Sequence, residues 1–212
     1  MSGSKTARPD AATIRFRDGG FSLVLPGTWV QIPLGDHQRA ETVIADLVKR
    51  RVGRDDRFAT VRREAKQQLL DVAAKATAAN AIQLALSMEI VPGFPFPASL
   101  MFVYREWPAP VAAEDRLDAL GRLLPGGEVV DADPGPTLRS WRQITMTPGT
   151  EEIRTTKLEY VVAAPDGRRV LHAVADVPVD IDPDLIVVLF DSIIDSLRWR
   201  SAPDGSDHNT PA

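Results

Sequence analysis

The strongest constraint on the fold of this chain lies in its second half. Three or four extended runs, 128–132, 137–147, 151–163 and 168–177, follow one another with only short connections. Pro148-Gly149 and Pro165-Asp166-Gly167 supply the backbone angles that a chain reversal needs. Strands joined this closely must be antiparallel, because a parallel pair needs a crossover of about a dozen residues or more. The second half therefore predicts an antiparallel meander, and the rest of the chain must cover its faces.

The covering elements are legible as helical stripes. Over residues 37–53, Ala40, Val43, Ile44, Leu47, Val48 and Val52 recur at helical spacing, with Asp36 placed to cap and Gly53 to stop. A second helix is expected from about 55 to 79, with Phe58, Val61, Ala65, Leu69, Val72, Ala73 and Ala76 facing inward. The tight connection between them predicts a helical hairpin. A short helix at 113–124 carries Leu117, Leu120 and Leu124 and ends in Pro125-Gly126-Gly127.

The closing segment "DIDPDLIVVLFDSIIDSLRWR" is the clearest helix. Asp182 is placed to cap, Pro183 fits the first helical position, and Asp184 meets the positive helix end. Ile186, Leu189, Phe190, Ile193, Ile194 and Leu197 form its inward stripe. Leu185, Val187 and Val188 widen that stripe, so its first two turns are expected to be buried on most sides.

At the other end, "ATIRFRDGGFSLVLP" reads as a hairpin. Ile14 and Phe16 alternate with polar residues, Asp18-Gly19-Gly20 turns the chain, and Phe21, Leu23 and Leu25 continue with period two. "TWVQIPL" is a further short extended piece. Residues 81–90 and 99–105 read as strands on either side of a loop, "VPGFPFPASLMF". Helices and strands are grouped rather than strictly alternating. The expected class is α+β: an α/β/α sandwich with a central antiparallel sheet, an N-terminal helix pair and a C-terminal closing helix.

The ends of the chain carry a resemblance. The opening "FSLVLPGTWVQ", where a strand ends in Pro-Gly and a Trp follows, and the closing "LFDSIIDSLRW" are similar to the start and the final helix of the PsbP-like superfamily, at Phe21, Leu23, Leu25, Pro26, Trp29, Phe190, Ile193, Ile194, Ser196, Leu197 and Trp199. That superfamily includes photosystem II extrinsic proteins, a Ran-binding nuclear-import factor and bacterial DcrB-type lipoproteins. The resemblance implies an α/β/α sandwich and a role in binding or assembly. It carries no catalytic motif over to this chain.

With 212 residues, the chain suits a single domain, expected over 12–200, with disordered ends at 1–11 and 201–212. A net charge of −4 argues against nucleic acid as a partner. There is no cysteine, which removes disulfides, thiolate metal sites and cysteine nucleophiles. The first residues lack the apolar core of a secretory signal, and no apolar run approaches the ~20 residues that span a bilayer, so a cytoplasmic location is expected.

Chemistry-bearing motifs are sparse. His37, His172 and His208 are scattered, and no metal-ligand spacing appears. His172 shares a strand face with Asp176, but four residues along a strand span ~13 Å, too far for contact. Asp180, Asp182 and Asp184 match the first positions of a calcium loop, yet Leu185 stands where that loop needs glycine, and capping accounts for the same residues. No cofactor and no metal are expected.

Two surfaces stand out as binding candidates. Lys49 to Lys66 holds eight basic and three acidic residues, and Arg50, Arg51, Arg62 and Arg63 are the candidate anion-binding set. Phe94, Phe96 and Trp107 are the candidate partner-binding set. Two readings stand for Phe94 and Phe96: rings folded back on the core, or anchors held out by Pro92, Pro95 and Pro97 for a protein partner or a homodimer. The expected function is non-catalytic binding or assembly through protein–protein contacts. The alternative is a small-molecule-binding protein or an enzyme whose pocket forms only in three dimensions.

Overall fold

The computed structural model describes residues 12–16, 20–91, 93–146 and 152–200. The expected disordered ends, the turn residues 17–19 and the Pro148-Gly149 turn lie outside them. Ten strands and four α-helices are described: β1 (Ala12–Phe16), β2 (Phe21–Leu25), β3 (Thr28–Ile32), α1 (His37–Val52), α2 (Ala59–Ala78), β4 (Gln83–Val91), β5 (Phe94–Glu106), α3 (Arg116–Leu123), β6 (Glu128–Val130), β7 (Thr137–Met146), β8 (Ile153–Ala163), β9 (Arg169–Val177), α4 (Pro183–Asp195) and β10 (Arg198–Trp199). Short 3-10 turns at Asp56–Phe58 and Ala113–Asp115 lead into α2 and α3.

Seven strands form the central sheet in the order β3-β4-β5-β9-β8-β7-β6, and every pairing is antiparallel. The other three, β1-β2-β10, form a small sheet of their own. The class is α+β, an α/β/α sandwich.

Strand alternation divides the side chains of the central sheet between two faces. Leu100, Phe102, Leu158, Tyr160, Ala173 and Ala175 point one way, into the main core shared with β2 and α4. In α4, Ile186, Phe190, Ile193 and Ile194 are buried there, as the stripe predicts. Phe21 joins the small sheet to the large one, with its ring centroid 5.0 Å from that of Phe102.

The opposite face is covered in two pieces. Helices α1 and α2 pack over β3 and β4 through Ile44, Leu47, Val48, Ala73, Leu84 and Leu86. Helix α3 packs over β7 and β8 through Leu120, Leu124, Leu138 and Val161.

The caps form as the residue types dictate. The Asp36 carboxylate accepts from Arg39 N at 2.9 Å, and that of Asp182 accepts from Asp184 N at 3.0 Å. Gly53 ends α1 at φ +91°, and Gly167 turns β8 into β9 at φ +66°. Gly27 is required for a different reason: a Cβ there would lie 2.1 Å from the Glu89 carbonyl oxygen, where β3 crosses a register shift in β4.

Four expectations need correction. The stretch 94–98 is not a loop but the first part of β5, paired with β4 through Glu89↔Pro95 and Val91↔Phe94. Strand β9 joins β5 only from Ser99↔Asp176 onward, so Pro95 and Pro97 lie where β5 has a single neighbour and a missing donor is tolerated. The last helix ends at Asp195, and Arg198–Trp199 pairs with β2 as a strand.

The first turns of α4 are not buried on most sides: Leu185 and Val188 are 64% and 63% exposed. The helix lies flat on one face of the sandwich, so only one side of it meets protein. In α2, Val61 is 50% exposed and Val72 37%, although both belong to the expected inward stripe.

Candidate functional site

The exposure of Val72 has a local cause. Between the helix pair and the sheet runs a cleft of about 770 Å³. Its roof is the C-terminal part of α1, through Leu47, Val48 and Val52, together with a stripe of α2 formed by Ala65, Leu69, Val72 and Ala76. The floor is Leu84, Leu86 and Met88 of β4, Met101 of β5, Val174 of β9 and Ile144 of β7. From β4 to β7 is four strand steps, about 19 Å at the usual interstrand spacing. Helix α3 covers the far part of this face, so among the described residues no helix lies over the sheet between the two helical layers. The α2 stripe therefore faces the cleft for part of its length rather than close-packed core.

The polar groups of the cleft are few, and Thr155, Lys157 and Asp176 stand together on its sheet side. Ile144, Thr155 and Lys157 belong to the face that α1 and α2 cover, since Thr155 pairs with Ile144 and keeps the parity of the core residue Val161. Thr155 is 3% exposed, and its hydroxyl has no hydrogen-bond partner among the described residues. The Lys157 ammonium stands 3.4 Å from the Asp176 carboxylate across the β8–β9 pair. Arg51 and Lys75 stand on the helical walls, and the Arg51 guanidinium donates to the Met88 carbonyl. Asp176 is the only acid among the lining residues, against three cations.

Next to this side lies a polar strip. Glu159 reaches Arg142 at 3.8 Å and His172 Nε2 at 3.7 Å. The His172 ring is 9% exposed. Burial first, and the Arg105 guanidinium second, hold its pKa below the usual 6.5, while Glu159 works against both. The folded state therefore takes up fewer protons at this ring than the unfolded state does. Stability is complete above the unfolded pKa and is lost as pH falls through about 6.5 toward the folded value. The urea midpoint should drop as pH falls from about 7 through 6.5, and His172→Gln should flatten that drop; an unchanged slope in the variant would place the titration elsewhere.

The residues singled out from sequence do not converge. Phe94 is 72% exposed at the start of β5, whereas Phe96 is half-buried and packs on the main core. Trp107 is 9% exposed and belongs to the cluster under α3. Its indole is covered by its own chain.

The four arginines serve separate ends. The Arg50 side chain donates to Asp46 O within α1, and Arg62 donates to Gly53 O and Asp55 O, which ties down the α1–α2 connection. Arg63 is exposed, and only Arg51 lines the cleft. Asp182 caps α4, and Asp180 lies 3.4 Å from Arg154. Among the described residues no group of three or more His, Asp or Glu stands close enough to hold a metal, and no helix is long and apolar enough to cross a membrane.

Sequence reasoning missed the cleft: Ala65, Leu69, Val72 and Ala76 of α2 read only as a core-facing stripe, and nothing in their spacing marks an open space opposite them. Its other wall, Thr155 and Val174, comes from strands about a hundred residues away and has no local signature. No known protein family matches this chain, and no curated protein matches it in sequence.

Proposed function

We propose that this is a non-catalytic binding protein whose ligand is a small, largely apolar molecule held in the cleft between α1, α2 and the sheet. The observation that carries this reading is the α2 stripe. Ala65, Leu69, Val72 and Ala76 follow core spacing yet line an open cavity of about 770 Å³. Cavities of about 300–1,000 Å³ with apolar walls and few polar groups are the usual form of a small-molecule site. Close-packed interiors keep few voids of that size.

The test is to fill the cleft. An anilinonaphthalene sulfonate dye should bind wild-type protein with a rise in fluorescence. Val72→Trp, at a half-open position that tolerates bulk, should weaken binding about tenfold or more, near 1.4 kcal/mol, with thermal unfolding little changed. Met101→Trp, placed on the floor, serves as a second variant. Undiminished dye binding in both folded variants would remove the cleft as the site.

A second reading rests on Phe94. With Val91 52% exposed beside it, the β4–β5 end offers an apolar tip for a protein partner or a homodimer. A PsbP-like relationship is proposed on the element order of hairpin, helix pair, antiparallel meander and closing helix. Such a relationship is compatible with either mode of binding.

A further inference from the structure

We propose that the ligand of the cleft is an amphiphile with a single negative charge, an acyl chain ending in a carboxylate. This rests on the cleft reading above. The tail would lie along the α2 stripe and Met101, and the carboxylate would accept from Thr155 Oγ1 and Lys157 Nζ.

Three observations carry the head group. The Thr155 hydroxyl is a donor with no partner among the described residues, on a residue 97% buried in the lining of the cleft (3% exposed). Buried polar groups in folded proteins are nearly always hydrogen-bonded, so an acceptor belongs beside it. Lys157 lies two residues further on the same face of β8, about 7 Å along the strand. A carboxylate between the two offers one oxygen to each. Asp176, 3.4 Å from Lys157, engages one of three ammonium protons and leaves the others to donate.

The sign of the charge follows from the lining as a whole. Arg51, Lys75 and Lys157 face a single acid, Asp176, on a chain whose net charge is −4. A cationic cleft in an acidic protein concentrates anions and turns cations away. Asp176 opposes the ligand carboxylate locally, so removing its charge should tighten binding.

The test uses the full chain with three probes that share one tail: dodecanoate, dodecanol and dodecylammonium. Each is titrated against the bound dye, the two ionic probes below their micelle concentrations and dodecanol below its solubility limit. Dodecanoate should bind about tenfold or more tighter than dodecanol, with dodecylammonium weakest, and the acid's advantage should shrink as salt rises. Thr155→Val and Lys157→Met should each remove most of that advantage and leave dodecanol unchanged, while Asp176→Asn should increase it.

Equal binding of all three probes would overturn the carboxylate and leave the cleft reading intact. Tightest binding of the ammonium would overturn it too, with Asp176 setting the sign. Failure of every probe to displace a dye that binds would overturn the acyl chain. A wild-type protein that binds no dye would overturn the cleft itself.

Discussion

Phe190→Ala is expected to cost about 3–5 kcal/mol of stability, read as a shift of the urea midpoint at unchanged slope. Phe190 is fully buried in the main core, in the middle of the α4 stripe. Its neighbours in that core come from three layers: Leu23 and Leu25 of the small sheet, Leu158 and Tyr160 of the central sheet, and Ile186 and Ile194 of α4 itself. Truncation leaves a hole lined by elements that cannot all collapse into it, because the central sheet is held by strand pairing on both sides. Val188→Ala is the control. Val188 is on the same helix but 63% exposed, so its loss should stay under about 0.5 kcal/mol. Similar losses at both positions would mean that α4 does not present the Phe190 side to the sheet.

That contrast shows what periodicity conveys. The α4 stripe was legible because each inward residue recurs at helical spacing and Asp182-Pro183 marks where the helix starts. The same reasoning overreached at Leu185 and Val188, since a widened stripe does not say how many neighbouring layers exist. In α2 the stripe was also legible, but what it faces was not. Val72 and Leu69 line a cleft whose floor is set by strand order, and β5 reaches β9 across about seventy residues of chain. The proline-rich start of β5 reads as a loop for a related reason. Pro95 and Pro97 exclude a central strand only if a partner lies on both sides, and β9 joins at Ser99. Thr155 gave no signal, because a threonine in a strand is ordinary until its hydroxyl is found buried without a partner.

The second large effect is expected at Arg139, on the face of the sheet that α4 covers. Arg139 of β7 stands beside Tyr160 of β8 in register, and its guanidinium meets the Asp191 carboxylate of α4 and the Glu128 carboxylate of β6. The other Asp191 oxygen accepts from the Tyr160 hydroxyl at 2.8 Å. Burial first, and then the Asp191 charge, push the Tyr160 phenol well above its usual pKa, so it stays protonated and donating. Only 15% of the Arg139 side chain is exposed, against 27% for Asp191 and 66% for Glu128. The Asp191 contact should therefore matter and the Glu128 contact should not. Arg139→Met would leave a mostly buried carboxylate with one neutral donor, at an expected cost of about 2–4 kcal/mol. Glu128→Gln should lose under about 1 kcal/mol, because an exposed ion pair is screened by water and salt. If the charge left on Asp191 is what destabilises the Arg139 variant, then adding Asp191→Asn should restore part of the loss, and the double mutant should be more stable than the sum of the singles predicts. An Arg139→Met protein that melts with the wild type would show that α4 is held by its apolar stripe alone. An additive double mutant would show that the two side chains act independently.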